Sequence, residues 1–170
     1  MYFLGRYFGD VSEALLAGGP GLPDDLIVQM AAFWDARVAI SAQSDSAKDW
    51  SELGSFGLWF ASGIFDEIWA IDNLAAIGSR GHKIDRPDLV RRRLRQLFDH
   101  HPLRVLGCLE SLLASTSASV LFSGRHDEVS EMLEVARSSM SIDVVVAGAR
   151  LRNRLVASGF LGYADYGAED

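Results

Sequence analysis

Residues Glu52–Leu74 read ELGSFGLWFASGIFDEIWAIDNL. Phe56, Trp59, Phe60, Phe65 and Trp69 crowd into this stretch at the three- and four-residue spacings of helix faces, broken by Ser62-Gly63. Glycine suits the left-handed residue that follows a helix, so the pattern predicts a short helix, a stop at Gly63, and a second helix capped by Asp66. Large rings at these positions are core material, each removing on the order of 150–250 Å² from water, although in a thin two-layer stack one or two of the five are expected to reach an edge. No catalytic signature accompanies them.

Outward from this stretch the periodicity remains helical, and alternation of strand length is nearly absent. Tyr2–Ala17 is apolar at Leu4, Phe8, Val11, Leu15 and Leu16 and ends at Gly18-Gly19-Pro20-Gly21. A helix opens at Pro23 with Asp24 and Asp25 in its first turn, where acids favour the positive end of the dipole, and carries Ile27, Met30, Trp34 and Val38. Ser41–Lys48 reads as a polar linker, with the flexible point near residues 41–50. After the pair that includes Trp69, Ile71, Leu74 and Ile77, further helices follow Pro87 (Val90, Leu94, Leu97, Phe98) and Pro102 (Val105, Leu106, Leu109, Leu112, Leu113). Ser115–Gly124 reads as a loop with an apolar patch at Val120–Phe122. Two last helices carry Val129, Met132, Leu133 and Ala136, then Val144, Leu151 and Leu155, the latter capped by Ser141 and closed by Gly159. Asp25-Leu26-Ile27 is echoed by Asp88-Leu89-Val90, each opening a helix after a proline. The expectation is one all-α domain over residues 1–170: about eight helices stacked as antiparallel pairs, a HEAT-like helical repeat. Residues 1–21 also read as the end of a preceding segment of a longer chain.

At 170 residues, with 49% apolar and 23% charged side chains, the composition is that of a globular protein with a sizeable core. No apolar run reaches the roughly 20 residues that span a bilayer. The start lacks the basic region and long apolar stretch of a signal peptide. A single cysteine, Cys108, forms no intrachain disulfide and fits a reducing, cytoplasmic setting. The net charge of −7 is uneven: −8 over residues 1–79, +5 over 80–104 and −4 over 105–170. An acidic chain is a poor general nucleic-acid binder, although a local basic stripe can still take an acidic partner.

That stripe is the candidate interaction surface: Arg91, Arg92 and Arg95 on one helix, with Arg86, Lys83 and Arg80 before it. With Val90, Leu94 and Leu97 inward, Arg92 and Arg95 point away from the core. The plain reading is a solvated charged face. The functional readings are a protein partner or other domains of a larger chain, and, as the alternative, nucleic acid or an acidic ligand on helix 86–95. Other constellations are weaker. His82, His100, His101 and His126 lack metal-ligand spacing, since adjacent histidines diverge on a helix. Cys108 sits on an apolar stripe with no base placed beside it. There is no P-loop, no dinucleotide-binding glycine pattern and no G-x-S-x-G elbow. The acid pairs Asp24-Asp25, Asp66-Glu67 and Asp127-Glu128 all open helices. No catalytic residue, cofactor or metal is expected.

Three places resemble one family. They are Phe33-Trp34-Asp35-Ala36-Arg37; Phe56–Gly63 followed by Phe65-Asp66 and Trp69; and Asn153-Arg154-Leu155 with Gly159-Phe160-Leu161. The family is the α-helical, HEAT-like C-terminal domain of large bacterial proteins, many NTPase-type and associated with phage defence. The resemblance covers roughly residues 22–166. Ser115–Gly124 departs from it by lacking a tryptophan, with Leu121-Phe122 in its place. It implies a bacterial helical interaction or sensor module and supplies no catalytic residues.

Overall fold

A computed structural model describes residues 21–43, 51–123 and 128–164. Among them are eight α-helices and no strand: α1 Asp24–Ser41, α2 Phe56–Ser62, α3 Glu67–Ser79, α4 Pro87–Phe98, α5 Pro102–Leu112, α6 Ala118–Leu121, α7 Glu128–Arg137 and α8 Ile142–Ala157. Short 3-10 turns, Ser51–Ser55 and Leu161–Tyr163, precede α2 and follow α8. The expected first helix, Tyr2–Ala17, and most of the expected linker at 41–50 lie outside the described residues. Ser41 itself is no linker residue: it closes α1, is buried, and its hydroxyl donates to the Val38 carbonyl at 2.8 Å.

Local chemistry sets the helix boundaries. Gly63 takes the left-handed conformation after α2, φ 71°. The Asp66 carboxylate caps α3 by accepting from the Trp69 N–H at 2.9 Å, filling one of the orphan donors of a first turn. Pro87 and Pro102 occupy first turns, where a missing N–H costs nothing. Two expectations need correction. The Ser115–Gly124 segment contains a helical turn, α6, because Ser117 seeds it: the Val120 and Leu121 N–H groups both donate to the Ser117 carbonyl at 3.0 Å. Leu121 and Phe122 are buried there but Val120 is exposed. Ser141 precedes α8 without a side-chain capping bond.

The helices pack as a helical-repeat bundle in which alternate helices lie side by side. One row runs α1, α3, α5, α8; the other runs α2, α4, α7. Between the rows lies one core, from Met30 and Trp34 through Trp59, Leu74, Leu94, Leu109, Met132 and Leu151 to Tyr163. The aromatic group of the opening stretch is its dense end. Trp34 meets the Phe56 ring edge-on at 5.2 Å, and Phe65 lies 4.8 Å from Trp69. Trp59 is 1% exposed and Phe56 fully buried. Trp69 is only half-buried, because its indole N–H reaches out to the Asp35 carboxylate of α1 at 2.9 Å. Gly57 admits the loop before α4: a Cβ there would stand 2.2 Å from the Asp85 carbonyl oxygen.

Serine side chains clip the segment between α3 and α4 to the segment between α5 and α6. Ser115 Oγ donates to the His82 carbonyl at 2.6 Å, Ser117 Oγ donates to the Ile84 carbonyl at 3.0 Å, and the Ile84 N–H donates back to Ser117 Oγ at 2.9 Å. Each serine is buried, and the Ser117 bonds satisfy the buried Ile84 N–H and carbonyl, which water cannot reach. No helix among the described residues is long and apolar enough to cross a membrane.

Candidate interaction surface

The basic helix α4 is wired into the molecule. Arg91 is half-buried; its Nε donates to Glu128 Oε2 of α7 at 2.7 Å, and its Nη1 reaches the Val120 and Leu121 carbonyls at 3.4 and 3.3 Å. It therefore braces α4, α6 and α7 together. Arg95 pairs with Glu131 at 3.2 Å and with Asp99 at 3.3 Å. Arg93, on the flank toward α3, donates to Glu67 at 3.4 Å, and Glu67 also meets His101 Nε2 at 3.1 Å. Arg104 grips Asp72 at 2.6 Å. The +5 segment thus meets acids of both flanking acidic segments.

The remaining basic residues differ in how they are held. Arg86 sits before α4 in the left-handed region, φ 51°, with its guanidinium on Asp88 at 3.4 Å. Lys83 pairs with Asp85 at 3.0 Å. Arg80 reaches back to the Val38 carbonyl at 3.3 Å and Ser41 Oγ at 3.4 Å, tying α3 to α1. Arg92 is exposed and makes no ion pair among the described residues. The structure therefore brings Arg91 and Arg95 together on the α7 side and scatters Arg80, Lys83 and Arg86 elsewhere.

The groups capable of chemistry are held in structural contacts. Cys108 is buried in α5; burial, reinforced by the Asp72 charge, pushes its thiol pKa up. His82 is shifted down by burial and by the Arg80 charge. Burial pushes Glu128 upward, but its own backbone N–H, the Arg91 hydrogen bond and the Arg91 and Arg92 charges outweigh this and hold its carboxyl below the usual range. Among the described residues no group of three or more His, Cys, Asp or Glu side chains is placed to hold a metal ion.

A second surface escaped sequence reading. In α8, Val144, Ala147, Gly148, Leu151 and Leu155 face the core. Ile142 and Val146, one turn apart on the opposite side, are 76% and 58% exposed, and Met140 just before them is wholly exposed. Beside them runs a shallow groove between α7 and α8, lined by Leu133, Val145, Gly148 and Ala149 and rimmed by Glu134, Arg137 and Arg152. The groove is shallow because the helices touch at Gly148, where a Cβ would stand 2.7 Å from Ala136 Cβ. The signal was present in the sequence: α8 carries large apolar residues on two opposite faces, one more than a surface helix needs.

Several residues of the three quoted segments contact residues far away in the chain. Trp34 packs on Phe56, Asp35 accepts from Trp69, and Phe160 lies 5.5 Å from Phe122. No family model, curated protein or solved structure matches this chain.

Proposed function

We propose that this chain is a non-enzymatic, HEAT-like protein-interaction module that docks a partner protein, or another domain of a larger bacterial protein, through the outer face of α8. The observation that carries this reading is the solvent-facing apolar strip Met140, Ile142 and Val146 beside the α7–α8 groove. Exposed apolar clusters rimmed by charge are the usual mark of a protein contact. The arginines support the same reading from the other side. Most of the basic helix spends its charge on Glu128, Glu131, Glu67 and Asp99, which lowers what it can offer to phosphate. Cys108, Ser115, Ser117 and His101 are occupied in packing or in backbone and ion-pair contacts, which favours a scaffold over a catalyst. Phage defence is the setting that the family resemblance implies, and the single cysteine fits a cytoplasmic one.

The test is a photo-reactive side chain at Ala149, introduced in the natural host. A discrete cross-linked partner that disappears in Ile142→Asp/Val146→Asp supports the proposal, provided the variant melts like wild type, as surface changes within about 0.5 kcal/mol should. Cross-linking that survives the double variant refutes the α8 surface. Micromolar binding of generic nucleic acid at physiological salt, abolished by Arg92→Glu/Arg95→Glu, would instead establish the basic helix as the binding element.

A further inference from the structure

The exposed side of α8 has the pattern of a surface that pairs with itself. Ile142, Val146, Ala149 and Asn153 recur at intervals of four, three and four residues. Steps of 100° set them within about 60° of one another round the helix. Val144, Ala147, Gly148, Leu151 and Leu155 take the opposite, buried side. All four outer residues are exposed, Ile142 and Val146 by 76% and 58%. This is the spacing of a helix-packing seam. Ala149, in its middle, is small enough for a second helix to approach closely.

Charge is sorted along the same helix. Asp143 flanks the strip near its start, and Arg150, seven residues on, flanks it on the same side. Arg150 keeps 59% of its side chain exposed while its Nε holds Glu110 Oε1 of α5 at 3.0 Å, and Arg154 shares that oxygen at 3.2 Å. Glu110 therefore has a second arginine, and Arg150 can meet another carboxylate. A helix with its acid at one end and its base at the other complements itself when the second helix runs the opposite way. Setting Val146 of one copy against Ala149 of the other brings Ile142 opposite Asn153 and Met140 opposite Val156. In that register Asp143 lies within about 3 Å, along the axis, of Arg150 of the second copy, and two-fold symmetry repeats the pair. The contact runs the length of α8, about 24 Å from Met140 to Val156, and covers the wholly exposed Met140. Asn153 in the seam lowers stability but fixes register. A parallel pair would instead level Asp143 with Asp143 and Arg150 with Arg150.

We propose, granting the α8 docking surface above, that its occupant is a second copy of this chain, held in an antiparallel, two-fold α8–α8 pair. The repulsion between two chains of net charge −7 is spread over each molecule and is screened beyond about 8 Å at physiological salt. The Asp143–Arg150 pairs act at contact.

The test is sedimentation velocity of the full chain over a range of concentrations at physiological salt. Wild type should pass from monomer to dimer in the micromolar range, as suits a contact of this small size. Asp143→Arg and Arg150→Asp should each weaken the dimer about tenfold, since each sets like charges opposite one another. An equimolar mixture of these two variants should dimerise as wild type does, because unlike charges then face each other at both pairs. Val146→Asp should abolish the dimer while leaving the melting temperature of the monomer unchanged. A wild type that stays monomeric into the millimolar range, a dimer that survives Val146→Asp, or a mixture no tighter than its components would overturn the proposal. A monomer that still cross-links a different protein from position 149 would overturn it and leave the α8 docking surface standing.

Discussion

Gly57→Ala should destabilise the protein even though alanine is the better helix former. In an open helix position the change gains about 1 kcal/mol. At Gly57 the new methyl would sit 2.2 Å from the Asp85 carbonyl oxygen and 3.0 Å from Ile84 Cγ2. Carbon–oxygen contacts settle near 3.3–3.6 Å, so something must retreat by about 1 Å. The loop is held: the Asp85 N–H donates to the Gly54 carbonyl at 2.9 Å, and Ile84 is bonded in both directions to Ser117. Overpacking of this kind costs about 1–3 kcal/mol and sometimes more, which outweighs the propensity gain. Gly107→Ala is the matched control, since a Cβ there meets nothing within 4 Å in the middle of α5; it should stabilise by about 1 kcal/mol. Urea unfolding followed by tryptophan fluorescence reads both variants, with m-values checking that the denatured state is unchanged. If Gly57→Ala raises the midpoint as Gly107→Ala does, the close approach of α2 to the 83–85 loop is not what holds this end of the molecule.

Trp59→Ala should cost about 3–5 kcal/mol, since the indole is 1% exposed; a loss below about 1 kcal/mol in the same assay would place the ring at the surface. Ser117→Ala leaves the Ile84 N–H and carbonyl without their partner, at a cost of about 1–3 kcal/mol; Ser117→Ala with the Ile84 amide still slow to exchange would show that water replaces the hydroxyl. Glu128 has a folded-state pKa below its unfolded value of 4.5, so its contribution is present above that pH and is lost as acid protonates the folded carboxylate. Wild type should therefore lose more stability than Glu128→Gln when the pH is lowered from 6 to about 3, and parallel pH profiles in thermal melts would deny Glu128 this role.

The fold was legible because its signals are local and agree. Two prolines, Gly63 and Asp66 punctuate apolar stripes of unambiguous period, and the buried faces of α4, α5 and α7, and that of α3 apart from Trp69, are the ones the spacing named. What escaped were contacts between distant segments. Nothing local in Arg91 distinguishes a brace to Glu128 and two carbonyls from a solvated cation; only the packing of α4 on α7 decides it. Ser115 and Ser117 looked like loop serines because their backbone partners, His82 and Ile84, are thirty-three residues away. Trp69 was expected inside, and the apolar count of its helix gave no hint that Asp35 of α1 would hold its indole N–H near the surface. The α8 strip could have been found, since Ile142 and Val146 fall opposite Val144 and Leu151 on any helical wheel.

Cys108 gives the molecule a clock. It is the one thiol in the chain, sits in α5 between α3 and α8, and is 1% exposed with its thiolate disfavoured by burial and by Asp72. An alkylating reagent can therefore reach it only in those moments when α5 separates from its neighbours. The half-life of labelling reports on native-state opening, without denaturant and without an engineered cysteine. A partner seated across α7 and α8 would lengthen that half-life as the inverse of the unbound fraction, whereas a ligand confined to the far end of α1 would lengthen it only if the two ends of the array open as one unit.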